Sequence, residues 1–222
     1  MNEPGAATRV GPWVAGLCAL AALQIALGLL GLALASAGVV EWHSATVVRD
    51  WQRAVEVLAF AALAGYVLVV GRRDGRAVHL GALLLLIGLF FAQPPIAAVE
   101  RAFEPPAASI VRALRALTID AFLPAVAWLF VRDFPRALEQ RRSARLVRAM
   151  VAACVALAIG LCTANVVRAL APGAPGWLAL LDRGDPWSHY WTFVFAPLLP
   201  VVPFVLWRTR HAPRLRYVAK IQ

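Results

Sequence analysis

Asp120 is the residue in this chain whose surroundings most suggest chemistry. It lies within an otherwise apolar run, and Pro124 follows four residues later. A carboxylate at bilayer depth is costly to hold and marks a functional hypothesis by default. In a continuous helix, Pro124 would also deprive the Asp120 carbonyl of its donor. A carboxylate beside a free carbonyl can take a proton or a cation. The plainer expectation is that the apolar run begins later, leaving Asp120 near the outer interface within pairing reach of Arg112 or Arg115. Pro197, Pro200 and Pro203 pose a similar question near the C-terminus. They predict a kinked helix with freed carbonyls at Phe193, Ala196 and Leu199, which neighbours, waters or a bound ion can satisfy. Asp120, Pro124, Pro197 and Pro200 are therefore the candidate ligand- or ion-binding positions.

Other chemistries find less support. The motifs G-x-S-x-G, H-E-x-x-H and the P-loop do not occur in the sequence, so no catalytic residue is assigned and the chain is not expected to be an enzyme. The histidines lack metal-ligand spacing. Glu41, His43, Asp185 and His189 form only a loose outer grouping, so no metal or other cofactor is expected. Cys18, Cys154 and Cys162 fall in apolar runs and read as small buried hydrophobes.

The elements that must position these residues are membrane helices. Hydrophobic residues make up 61 % of the 222, which places the chain in the membrane class. Six stretches approach the roughly 20 apolar residues that a bilayer core requires: 12–36, 54–71, 77–93, 113–131, 149–167 and 188–207. The predicted fold is all-α, a polytopic transmembrane bundle over 12–207. A disordered N-terminal segment (1–11) precedes it and a basic tail (208–222) follows. The connectors are too short for a separate soluble domain. Span one is predicted to be a retained helix, because its apolar run exceeds a signal-peptide core. Its small residues at Ala22 and Ala26, and at Gly31 and Ala35, suit close helix packing. Gln93-Pro94-Pro95 is expected to end or bend span three, and 96–112 to form an outer connector.

Charge orients the bundle. The net charge is +10, which in a soluble chain would suggest nucleic acid. Here the basic residues alternate with the spans, and no nucleic-acid partner is expected. Fifteen of the 22 Lys and Arg residues fall on one side and seven on the other. Acidic residues nearly offset those seven. The tight Gly71–Arg76 turn supplies the anchors Arg72, Arg73 and Arg76, and the following basic loop supplies Arg141, Arg142 and Arg145. The positive-inside rule then puts both termini in the cytoplasm of a multi-pass inner (plasma) membrane protein. The anionic inner leaflet favours the same placement.

Around span four, Phe122-Leu123-Pro124 leads to Trp128-Leu129-Phe130 and closes with Phe134-Pro135-Arg136; an Arg-rich segment, Arg214-Leu215-Arg216-Tyr217, comes later. Over 54–217 this order resembles the N-terminal membrane region of bacterial polytopic sensor proteins. These include histidine kinases of the competence and quorum-sensing type and related membrane-tethered phosphatases and cyclases. The resemblance implies a signal-input module that senses a stimulus at the outer face or within the membrane. Its catalytic output would follow in a longer parent protein, since no dimerisation helix, phospho-acceptor His motif or ATP-binding glycines follow the spans. The bilayer is the expected partner, with a second copy or a signalling protein as further candidates. The alternatives are a small ion- or proton-coupled transporter and a structural membrane subunit.

Overall fold

The computed structural model describes residues 11–40, 50–134, 141–171, 173–185 and 187–210. The N-terminal segment before Gly11, Glu41, His43, Pro135, Arg136 and the tail from residue 211, on all of which the sequence sets expectations, lie outside the described residues. Among the described residues eight α-helices follow in chain order: α1 (Pro12–Ser36), α2 (Asp50–Val70), α3 (Gly75–Ala102), α4 (Ala107–Ala116), α5 (Leu123–Asp133), α6 (Arg141–Leu170), α7 (Tyr190–Phe195) and α8 (Val201–Arg210). Short 3-10 turns at Ile119–Phe122, Gly176–Leu181 and Ala196–Leu198 join or precede some of them. No strand occurs among the described residues. Six helical stretches are long and apolar enough to cross a membrane, as the sequence predicted.

Residue-to-residue register shows that successive stretches alternate in direction. Gly28 meets Ala92 and Gly31 meets Pro95, so α1 and α3 run parallel. Gly81 meets Leu68 and Gly88 meets Phe60, so α2 and α3 run antiparallel. Ala121 packs near Ala158, and Trp128 packs with Val147 and Cys154, so α5 and α6 are antiparallel. One end of the bundle therefore carries Arg53, Glu100, Arg112 and Arg168. The opposite end carries Arg72, Arg73, Arg76, His79, Asp133 and Arg208.

Packing follows size. A Cβ built on Gly28 would lie 2.6 Å from the Ala92 carbonyl oxygen, and one on Gly31 would overlap the Pro95 carbonyl. Only glycine lets α1 approach this closely, and dispersion between tightly packed helices is what holds a membrane bundle together. The small residues that make this seam are Ala21, Gly28 and Gly31, whereas Ala22 and Ala26 are exposed. The expected Ala22–Ala26 packing pair is thus corrected: a one-residue rotation, about 100° of helix, takes both off the buried face. The third stretch and the fourth (α4, the turn and α5) form the centre, with 61 % and 67 % of their apolar windows buried, against 17 % and 11 % for the second and sixth.

Two boundaries differ from expectation. The α3 helix does not end at Pro94-Pro95 but continues to Ala102, absorbing residues 96–102 of the expected outer connector. Phe90 and Phe91, whose carbonyls lose their helical donors, lie on the wall of a cavity where water can replace them. The fourth stretch is not one helix but three pieces, α4, a 3-10 turn and α5.

At the opposite end, the expected tight turn forms. The Asp74 backbone N–H donates to Gly71 O at 2.8 Å. The Asp74 carboxylate caps α3 by accepting from the Arg76 backbone N–H at 2.9 Å, and also pairs with the Arg76 side chain. Arg72, Arg73 and Arg145 are exposed at this end; Arg141 and Arg142 open α6.

Candidate functional site

The break in the fourth stretch leaves backbone polar groups within an apolar stretch of the bundle, where each unsatisfied one costs several kcal/mol, roughly. Side chains from three other helices meet that need. Gln24 of α1 donates its amide to Leu114 O and, at 2.7 Å, to Leu117 O. These are carbonyls at the C-terminal end of α4. Gln93 of α3 donates to Gln24 Oε1 at 2.9 Å and fixes the amide's orientation. Cys162 of α6 donates its thiol to Thr118 O at 3.2 Å. Cys162 therefore has a polar role beyond that of the small hydrophobe expected.

Asp120 sits in this turn and is 2 % exposed. The expected pairing with Arg112 or Arg115 does not form. Arg183, from the loop before α7, donates Nε to Asp120 Oδ2 at 2.8 Å. Tyr190 donates its hydroxyl to Asp120 Oδ1 at 3.2 Å. Arg112 and Arg115 instead share Glu100, at 2.6 and 3.0 Å. The physical reason is geometric: α4 ends at Ala116, so both arginines lie on a helix separate from the turn that carries Asp120.

The expected free carbonyl at Asp120 is also corrected. Pro124 occupies the first turn of α5, where no intrahelical N–H is required. The Leu123 N–H donates to Asp120 O and closes the 3-10 turn. Carboxylate and carbonyl are both committed to protein partners.

In the sixth stretch Pro197 and Pro200 break the helix as predicted, into α7, a 3-10 turn and α8. Of the three carbonyls expected to be freed, that of Ala196 is taken, and so are two of its neighbours. Ala196 O accepts from Leu199 N–H at 3.2 Å and Pro200 O from Phe204 N–H at 3.1 Å. Pro197 O accepts from the Trp128 indole at 3.1 Å. Farther along, Arg208 donates Nη1 to Val131 O and, at 2.7 Å, to Phe134 O. This caps the C-terminus of α5 with a cation, the sign its dipole favours. The fourth and sixth stretches are thus joined at the break, midway and at the far end.

Beside Asp120 opens a cavity of about 860 Å³. Arg53, Arg112, Arg115, Arg168 and Arg183 line it, with Glu56, Asp182 and the apolar Phe90, Phe91, Pro94 and Trp191. Arg168 pairs with Asp182 at 2.9 Å. The Arg183 guanidinium lies 5.1 Å from the centre of the Trp191 ring, which meets Phe90 edge-on. Asn165 holds the loop in place. Its amide donates to Leu161 O and Leu181 O, both at 2.9 Å, while its carbonyl accepts from the Arg183 backbone N–H at 3.0 Å.

The sequence reading placed these arginines at one end but did not foresee that they enclose one space. Gln24 and Asn165 carry no expectation from the sequence, and Gln93 enters it only beside the proline pair. The available signal was an amide side chain isolated in an apolar run, which needs a partner wherever it is buried. Among the described residues no cluster of His, Cys, Asp and Glu could hold a metal ion. No family model, curated protein or solved structure matches the chain.

Proposed function

We propose that the chain is a signal-input module of a cell membrane, with both termini in the cytoplasm and the arginine-lined cavity facing outward. The observation that carries this reading is the bond between Asp120 and Arg183. Arg183 lines the cavity, and its carboxylate partner lies in the turn that breaks the fourth stretch and also accepts from Tyr190, the first residue of the sixth. A ligand that draws Arg183 away loosens Asp120 and Tyr190 together. The same two stretches meet again through Trp128 and Arg208, so a shift at the cavity end can reach the far end. Differential affinity of the ligand for two such packings supplies the driving free energy.

The positive-inside rule supports the orientation. Exposed Arg72, Arg73 and Arg145 lie at the end opposite the cavity, and the cavity-end arginines are largely matched by carboxylates. The transporter alternative draws less support, because it calls for a carboxylate free to exchange a proton or cation.

The test is hydrogen–deuterium exchange of the whole chain in nanodiscs, comparing wild type with Asp120→Asn and Arg183→Gln. Both variants should raise exchange in α8 around Val205–Arg208 while leaving the α1–α3 seam unchanged. Faster exchange confined to Thr118–Leu123 would show that the two ends are uncoupled and sink the reading.

A further inference from the structure

The chemistry of the cavity wall specifies a ligand class. Five arginines line or reach it, and four carboxylates stand among them: Glu56 and Asp182 on the wall, Glu100 and Asp120 behind it. The surplus positive charge is localised, because Arg112 takes Glu100 Oε1 and Arg115 takes Glu100 Oε2. One carboxylate between two guanidiniums leaves that group at +1. At the edge of a low-dielectric bundle such a charge attracts an anion strongly. Arg112 and Arg183 each donate to their carboxylate through Nε. A guanidinium has five N–H donors, so their Nη groups can still meet an oxyanion.

Volume and apolar lining narrow the class. At about 860 Å³ the space is near the upper range of ligand sites and far larger than a lone inorganic anion needs. Phe90, Phe91, Pro94 and Trp191 give it an apolar part besides its arginines. We infer that the cavity binds an amphiphile with a phosphate-ester head. Arg112 and Arg115 would grip the phosphate with Arg168 and Arg183 close by, and the apolar portion would lie against Phe90, Phe91 and Trp191. This inference rests on the cavity being the input site. Its phosphate can come from a lipid headgroup or from a soluble phosphate ester.

The test uses the full chain in phosphatidylcholine nanodiscs, titrated with octyl phosphate, inorganic phosphate, octyl glucoside and octyl trimethylammonium. The readout is the part of the tryptophan emission that disappears in Trp191→Phe. Octyl phosphate should give a saturable change, at least tenfold tighter than inorganic phosphate, and the uncharged and cationic amphiphiles should give none. The double substitution Arg112→Gln/Arg115→Gln should weaken binding at least tenfold. Glu100→Gln, which frees both guanidiniums, should tighten it severalfold, a gain that misfolding would not mimic. Loss of the octyl phosphate response in nanodiscs containing phosphatidylglycerol assigns the site to a lipid headgroup; a persisting response assigns it to a soluble ester. Equal responses to all three octyl compounds, or none to octyl phosphate, would overturn the inference. Binding without any change in α8 exchange would leave the ligand class standing and remove the signal-input reading instead.

Discussion

Replacing both members of the Asp120–Arg183 pair should cost far less than the two single replacements together. The Asp120 side chain is 3 % exposed and that of Arg183 is 13 % exposed, so Asp120→Asn leaves a nearly buried guanidinium facing a neutral amide. Removing one partner of a buried pair typically costs about 3–5 kcal/mol. Arg183 borders a cavity large enough for water, so part of that charge can be rehydrated. For Asp120→Asn the expected loss is therefore about 2–3 kcal/mol, below that range. Arg183→Gln leaves the buried carboxylate without its cation, held by the Tyr190 hydroxyl, and about 3 kcal/mol is expected. In the double variant the charges are gone and Asn and Gln can still hydrogen-bond, so the total should be about 2 kcal/mol rather than 5–6. Reversible unfolding in mixed detergent micelles with increasing dodecyl sulfate, followed by helical circular dichroism, measures all four corners of the cycle. Single losses that simply add would mean that the two side chains do not depend on each other. The assignment of Arg183 as the partner of Asp120 would then fall.

Gln24→Leu should destabilise the bundle by about 2–3 kcal/mol in the same assay, because it removes three hydrogen bonds that average roughly 0.6 kcal/mol each in membranes and orphans carbonyls of α4. A loss below about 0.5 kcal/mol would show that the break in the fourth stretch closes without it. Gly31→Val should separate α1 from α3, since even a Cβ overlaps Pro95 and crowds Val99; crosslinking yield between cysteines placed at Leu27 and Ala92 should drop at least fivefold, whereas Gly16→Ala, which meets nothing, should leave it unchanged. Asp74→Ala should cost about 1 kcal/mol as a lost helix cap. Hydrogen bonding by Arg76 holds the Asp74 carboxyl below its ordinary value, so its contribution is present above about pH 4 and fades as pH falls through the lowered value. A variant whose deficit against wild type does not shrink as the pH is lowered into the acid range would contradict that origin.

Six apolar stretches, their alternating direction and the segregation of Arg72, Arg73 and Arg76 from Arg53, Arg112 and Arg168 were all legible in the chain itself. Spanning a bilayer demands a minimum apolar length, and each crossing reverses the side on which the next connector lies; both are one-dimensional facts. The prolines told only half of their story. Pro197 and Pro200 broke their stretch as predicted, yet Pro94 and Pro95 did not stop α3, and Pro124 proved to start a helix rather than distort one. A proline removes a donor at a known position, but whether the helix then continues depends on what lies beside the orphaned carbonyl. Gln24, Cys162 and Trp128 satisfy carbonyls beside the helix breaks, at Leu114 and Leu117, at Thr118 and at Pro197, and each comes from a helix distant in the chain. The partner of Asp120 belongs to the same class. Arg112 and Arg115 are close in sequence, but the break between α4 and α5 and the clip made by Asn165 bring Arg183 to it instead. Composition and hydropathy settle which residues are withdrawn from water. Which polar group meets which depends on helix rotation and on where a helix breaks, and a rotation of about 100° per residue is decided only when neighbouring helices pack.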